Sequence, residues 1–230
     1  MIPSLDMNKA ENLSIKRLLD RGTAEILEKS DTGIFVRDTL SGAHMISDND
    51  VDEGRRWLLK YSGMEWEMIV IFTSALMDIG VELFRPDGIS RCYQYGYYED
   101  AIDIPRRCLS VRASVLDDLP WISSIYRLVS PEELRWAVGQ GKVIIGSIGD
   151  RDVGFIGEHS DGSMGLLNIL PEFRHRGYAE ELERIMIDDT LRRGLVPFCQ
   201  VELDNSASMQ LQEKLGLVRS DDIMCWIWKE

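Results

Sequence analysis

The stretch Met164-Gly165-Leu166-Leu167-Asn168-Ile169-Leu170-Pro171-Glu172-Phe173-Arg174-His175-Arg176-Gly177-Tyr178-Ala179 decides how this chain folds. Its first seven residues form an apolar, strand-like run, and Pro171 ends it. A basic, glycine-containing turn then leads into a helix predicted over 177–193. Such a junction aims free backbone N–H groups and the positive end of a helix dipole at one point, which suits a phosphate or pyrophosphate. Arg174 and Arg176 add positive charge there. Gly177 lets the backbone turn and approach a ligand closely, and Ala179 leaves the helix start uncovered. A plain strand-to-helix turn is the competing reading of the same residues.

The predicted helix carries Glu180, Glu181 and Glu183 near its start, Arg192 and Arg193 at its end and Gly194 as its stop, which matches the helix dipole. Upstream, strands over 143–148, 153–158 and 164–170 are separated by turns at Gly149-Asp150-Arg151 and Ser160-Asp161-Gly162. That spacing predicts an antiparallel meander. Downstream come a strand over 197–203, a helix over 205–215 ended by Gly216, and a last strand over 223–228. Ahead of the meander, 109–112 reads as a strand, Ser114 and Asp117 open a helix through Tyr126, and Ser130-Pro131 opens another.

The first hundred residues are less sharply patterned. Residues 8–30 predict two short amphipathic helices around Gly22, and 33–37 with 43–46 predict a hairpin about Ser41-Gly42. Asp50 caps a predicted helix to about Tyr61, followed by a strand over 66–72 and a helix over 73–81. The alternating tyrosines Tyr93, Tyr95, Tyr97 and Tyr98 read as a strand, with an acceptor-pocket lining as the second reading. A linker near Asp103-Ile104-Pro105-Arg106 divides the chain into 1–105 and 106–230. The class is mixed α/β (α+β), built on one largely antiparallel sheet flanked by helices.

The chain has 230 residues, 44% of them apolar, enough for a continuous core. A formal net charge of -13 argues against nucleic acid or an anionic membrane as main partner, so any anionic ligand must be held by local groups. The four cysteines, Cys92, Cys108, Cys199 and Cys225, lack metal-site or disulfide-framework spacing. No metal is expected. With no cleavable leader visible and no apolar run long enough to span a bilayer, a cytoplasmic protein is expected.

Arg174-His175-Arg176-Gly177-Tyr178-Ala179 resembles the pyrophosphate loop of the GNAT acyltransferase superfamily, Arg/Gln-x-x-Gly-x-Gly/Ala. The element order over about 108–230 resembles that superfamily too. Leu170-Pro171-Glu172-Phe173-Arg174, Gly194-x-x-Pro197, Asn205-Ser206-x-Ser208-Met209 and Leu215-Gly216-Leu217 are similar to the glycine N-acyltransferase branch. The resemblance implies an acyl-CoA-binding C-terminal half and a degenerate GNAT-like N-terminal half. It implies that the backbone of Asn168, Ile169 and Leu170 pairs with the pantetheine arm of acetyl-CoA or another acyl-CoA. The diphosphate would then lie on the amides of Arg174, His175, Arg176, Gly177, Tyr178 and Ala179, and Asn205 and Ser208 at the next helix start would also contact the cofactor. For the Asn205 side chain an ordinary helix cap is an equal reading.

The implied activity is direct acyl transfer from CoA to the amine of a small molecule or amino acid. Such transfer needs a neutral amine, a polarised thioester and a proton for the departing thiolate. Where the glycine-acyltransferase branch has a glutamate base this chain has Ser163, and where many GNAT enzymes have an acidic tyrosine it has Gln212. Glu158 and His159 are the candidates to replace the base, and both also fit as residues of a strand end entering a turn. The alternative function is a CoA-binding module without turnover. A third reading makes the N-terminal half a platform delivering a protein amine.

Overall fold

The computed structural model describes residues 2–105 and 107–229. Its helices and strands follow in the order α1 (Leu13–Asp20), β1 (Ala24–Lys29), β2 (Gly33–Asp38), β3 (His44–Asp48), α2 (Val51–Lys60), β4 (Met68–Ile71), α3 (Ser74–Phe84) and β5 (Gly88–Gly96). Then come β6 (Ser110–Ala113), α4 (Leu119–Ile125), α5 (Pro131–Gly139), β7 (Val143–Ile148), β8 (Arg151–Glu158), β9 (Met164–Ile169), α6 (Tyr178–Arg192), β10 (Phe198–Glu202), α7 (Ser206–Leu215) and β11 (Val218–Trp228). The fold is mixed α/β, with mostly antiparallel strand pairing and flanking helices. Among the described residues no helix is long and apolar enough to cross a membrane.

Two compact units make up the chain, and neither is one continuous segment. The first comprises Met1–Gly96, Gln200–Glu213 and Val218–Glu230; the second comprises Tyr97–Cys199 and Lys214–Leu217. Residues 1, 106 and 230, at the ends of the two sequence-defined halves, lie outside the described residues.

In the first unit the strand order is β1-β2-β3-β4-β11-β5, with the end of β10 beside β5. Period-two alternation sends successive side chains to opposite faces. Phe35, Ile46, Ile69, Ile71, Cys225 and Ile227 pack with Trp57, Leu58, Leu76 and Met77 of α2 and α3. Ile34, Val36, Met45, Val70 and Met224 pack with Ile15 and Leu18 of α1. Asp50 caps α2, accepting from the N–H groups of Asp52 and Glu53.

Residues 8–30 correct the sequence expectation, because only the first of the two predicted helices forms. Gly22, at φ 75°, ends α1 in a left-handed turn, and residues 24–29 are an edge strand paired with β2. Ile26 faces Val36 and Glu28 faces Phe35, so Leu27 is an extra, bulged residue. The bulge interrupts the period-two alternation by which a strand is recognised.

The second unit holds β10-β9-β8-β7-β6 in that order. Phe155 of β8 lies under Trp121 and Tyr126, ring centroids 5.7 Å and 6.0 Å away, in a core with Ile122, Leu134, Val138, Val143 and Leu166. On the other face α6 packs on β8 and β9, burying Leu182, Met186 and Ile187.

Candidate functional site

The quoted stretch forms β9, a single 3-10 turn over Pro171–Phe173, a short loop and the start of α6. Within β9, Gly165 pairs with Gly157 and Asn168 with Phe155, so Leu166 and Leu167 together oppose Ile156 alone. This is a β-bulge, and Leu166 takes φ 51° to make it. A γ-branched residue rarely adopts that backbone, and the strain marks the centre of the strand as a candidate site. β9 meets β10 in parallel at one register pair, Cys199 with Met164. From Gly165 to Ile169 that edge of β9 has no strand partner within its unit.

The turn after β9 is fastened by its own arginines. Arg174 Nε donates to the Ile169 carbonyl at 2.9 Å, and Arg176 Nη2 to the Glu172 carbonyl at 3.0 Å. Phe173 is buried beneath the guanidinium groups of Arg151 and Arg176, 4.7 Å and 5.8 Å from its ring centroid. His175 at φ 60° and Gly177 at φ 83° are both left-handed, which bends the chain into α6. Among the described residues no side-chain cap bond is made at Gly177, and the space where a Cβ of residue 177 would stand is open. The helix therefore begins at an uncapped, basic turn, an arrangement that suits an anion.

The acids that follow are neutralised locally. Glu180 accepts from Lys214 at 2.5 Å and from Arg184, and these cations hold its carboxyl below the usual range. Glu181 is buried and accepts the Leu109 N–H at 2.8 Å. In a chain of net charge -13, the start of α6 is thus left with a surplus of positive charge from Arg174 and Arg176.

Alternation at the end of β8 separates the two candidate bases. Glu158 is 4% exposed; Lys142 Nζ lies 2.9 Å from it and Arg193 grips both of its oxygens. Burial raises its pKa, but the Arg193 and Lys142 contacts outweigh burial and leave it lowered. These groups line a cleft with Gln140, Met186 and Asp189. His159 faces the other way: its Nδ1 lies 2.8 Å from Glu133 Oε1 on α5.

Ser163 is buried, and its hydroxyl and N–H both donate to Asp161 Oδ1, at 2.6 Å and 2.9 Å. Asn168 directs its amide at the Ile125 carbonyl, 3.4 Å away. Asn205, Ser208 and Gln212 fall in the first unit. Asn205 Oδ1 accepts the Ser208 N–H at 3.1 Å and so caps α7, while Gln212 is buried with its Oε1 unpaired. The structure therefore gathers 168–170 and 174–179 on one strand, loop and helix start, with Glu158 and His159 on opposite sides of the neighbouring strand. Sequence reasoning did not reach Glu133, Asp161, Lys142 or Arg193 as partners of those two residues. Among the described residues, no group of three or more His, Cys, Asp or Glu could hold a metal ion.

This architecture is the GNAT fold. Residues 153–227 match the model of the FR47-like protein family. A solved Drosophila protein superposes with a TM-score of 0.69 at 16% identity, covering 86% of this chain and 73% of its own. A putative GNAT-family acetyltransferase from Novosphingobium aromaticivorans gives 0.57 at 14% identity, covering 96% and 97%. A GCN5-related N-acetyltransferase-like protein from Streptococcus suis gives 0.56 at 15% identity, covering 94% and 92%. No curated protein sequence matches the chain.

Proposed function

We propose that this protein is an acyl-CoA-dependent N-acyltransferase, with acetyl-CoA as the first donor to test, acting on the amine of a small molecule or amino acid. The observation that carries the reading is the junction of a bulged, open-edged β9 with an uncapped, basic helix start at Gly177. The edge at Asn168, Ile169 and Leu170 offers backbone groups to an extended pantetheine amide chain, as an added strand would. The loop from Arg174 to Ala179 offers N–H groups and charge to a diphosphate. Asn205 and Ser208 are proposed as cofactor-contacting residues by their own helix start, in the first unit.

An internal contrast supports the location. The order β-β-β-α-β-α-β occurs twice, as β1 to β5 and as β7 to β11. In the first copy β3 and β4 are joined at three register pairs and Asp50 caps α2, so that strand edge is closed and that helix start is filled by a carboxylate. In the second copy the corresponding strand edge is open and the helix start uncapped. Division at 105 and 106 into a degenerate half and an acyl-CoA-binding half, the glycine N-acyltransferase-like kinship and a cytoplasmic location belong to the same proposal.

In the reaction, His159 accepts a proton from the substrate ammonium, and the neutral amine attacks the thioester carbonyl. The C–N bond forms, the C–S bond breaks with its electron pair on sulfur, and the second amine proton passes to the thiolate. Glu158, paired with two cations, is the weaker base. The test is incubation of the protein with acetyl-CoA and a panel of amines while free thiol is followed. Tight CoA binding with no thiol release for any amine would instead favour a binding module, a reading supported by Ser163 serving Asp161 and by Gln212 at the tyrosine position.

A further inference from the structure

Glu133 stands at the third position of α5, where Ser130 Oγ accepts its backbone N–H at 3.1 Å. Ser130-x-x-Glu133 is the spacing of a capping box, in which the glutamate would reach back to the helix start. Here its carboxylate accepts instead from the His159 imidazole and from the Ser160 backbone N–H. A carboxylate is acceptor-only, so His159 presents Nδ1–H to Glu133, and in its neutral form carries the Nε2 lone pair on the opposite side of the ring. That side lies over Gly165: a Cβ on residue 165 would stand 2.3 Å from Nε2 and 2.6 Å from Cδ2. Gly165 is the residue before the bulged Leu166, on the strand edge assigned to the thioester arm.

We propose that Glu133 and Gly165 are positioning residues for His159 in acyl transfer, an inference that rests on the acyltransferase reading above. Glu133 selects the tautomer and holds the ring plane, and Gly165 leaves the room that brings Nε2 against β9. Asp161, held by Ser163, is a second carboxylate acting on the imidazole. Ser163, at the family's base position, thus serves the imidazole indirectly through Asp161. The charged or titratable groups acting on the ring are Glu133 from α5 and Asp161 from the turn. Burial lowers the pKa of His159, and the two carboxylates more than offset this, leaving it raised.

The test uses the full chain and three readouts: CoA affinity by calorimetry, the pH profile of kcat/KM, and the His159 pKa by imidazole NMR. The protein has three histidines, so His159→Gln assigns the signal. Glu133→Gln should leave CoA affinity unchanged, lower the His159 pKa, and move the acidic limb of the profile down with it. It should also lower kcat by about tenfold. His159→Gln should lower kcat/KM by about 10²- to 10⁴-fold, and Gly165→Ala should lower kcat by displacing the ring. An unmoved acidic limb in Glu133→Gln, with CoA still bound, overturns the positioning role alone. Wild-type protein that binds no CoA, or binds it and acylates no amine, overturns the acyltransferase reading and this inference with it.

Discussion

Gly177 holds φ 83° at the helix start, with open space where a side chain would project. Replacement by glutamate places bulk and negative charge in the proposed diphosphate seat, and Gly177→Glu should abolish CoA binding in calorimetry. Gly177→Ala should lower stability by about 1 kcal/mol through left-handed strain and retain binding. Unchanged affinity in Gly177→Glu would refute the loop assignment. Asp48 is a separate case. It is fully buried, its Oδ2 is unpaired, and burial pushes its carboxyl up to about 6. A carboxyl raised in the folded state binds its proton more tightly there, so its contribution falls as pH rises from about 4 through about 6. Asp48→Asn should remove that slope between about pH 4 and about pH 6 in urea unfolding. The residues Glu158 and His159 are adjacent in sequence, yet only the structure separates their roles. Their partners lie 16, 26 and 35 positions away, beyond any local pattern.

At the scale of elements, α2 and α6 have opposite beginnings. Asp50 fills the start of α2, so Asp50→Ala should cost about 1 kcal/mol in thermal or urea unfolding and leave CoA affinity unchanged. The end of β8 is tied to the end of α6 by Glu158 and Arg193, and to the residue before β7 by Lys142. A carboxylate with a depressed folded pKa stabilises above its unfolded value, near 4.3, and that stability is lost as pH falls through the folded pKa. Glu158→Gln should therefore lower stability by about 2 kcal/mol at pH 7, with the difference shrinking below about pH 4. The meander, the hairpin and most helix starts were legible because caps, turns and alternation are local signals. The edge strand at 24–29 was not, because a bulge at Leu27 disguised its period.

The last strand of the chain is built into the same unit as its first ninety-six residues. β11 lies in the first unit, antiparallel to both β4 and β5, with Trp226 opposite Val70 on one side and Ser90 on the other. Residues 106–230 made alone would carry β11 without either neighbour and expose Ile223, Cys225 and Ile227 of the first unit's core. That fragment should aggregate on size exclusion, and co-expression with residues 1–105 should recover a soluble complex. A soluble, monodisperse fragment would contradict the requirement of β11 for β4 and β5.

Local sequence was enough for the order of elements outside the edge strand at 24–29, for the strand, turn and helix start over 164–179, and for the basic charge there in an acidic chain, since each depends on near neighbours. Long-range packing placed β11 between β4 and β5, left one edge of β9 without a strand partner in its unit, bulged β9, and paired Glu133 with His159 and Arg193 with Glu158. Those features join segments distant along the chain, where register and packing, rather than propensity, select the partner.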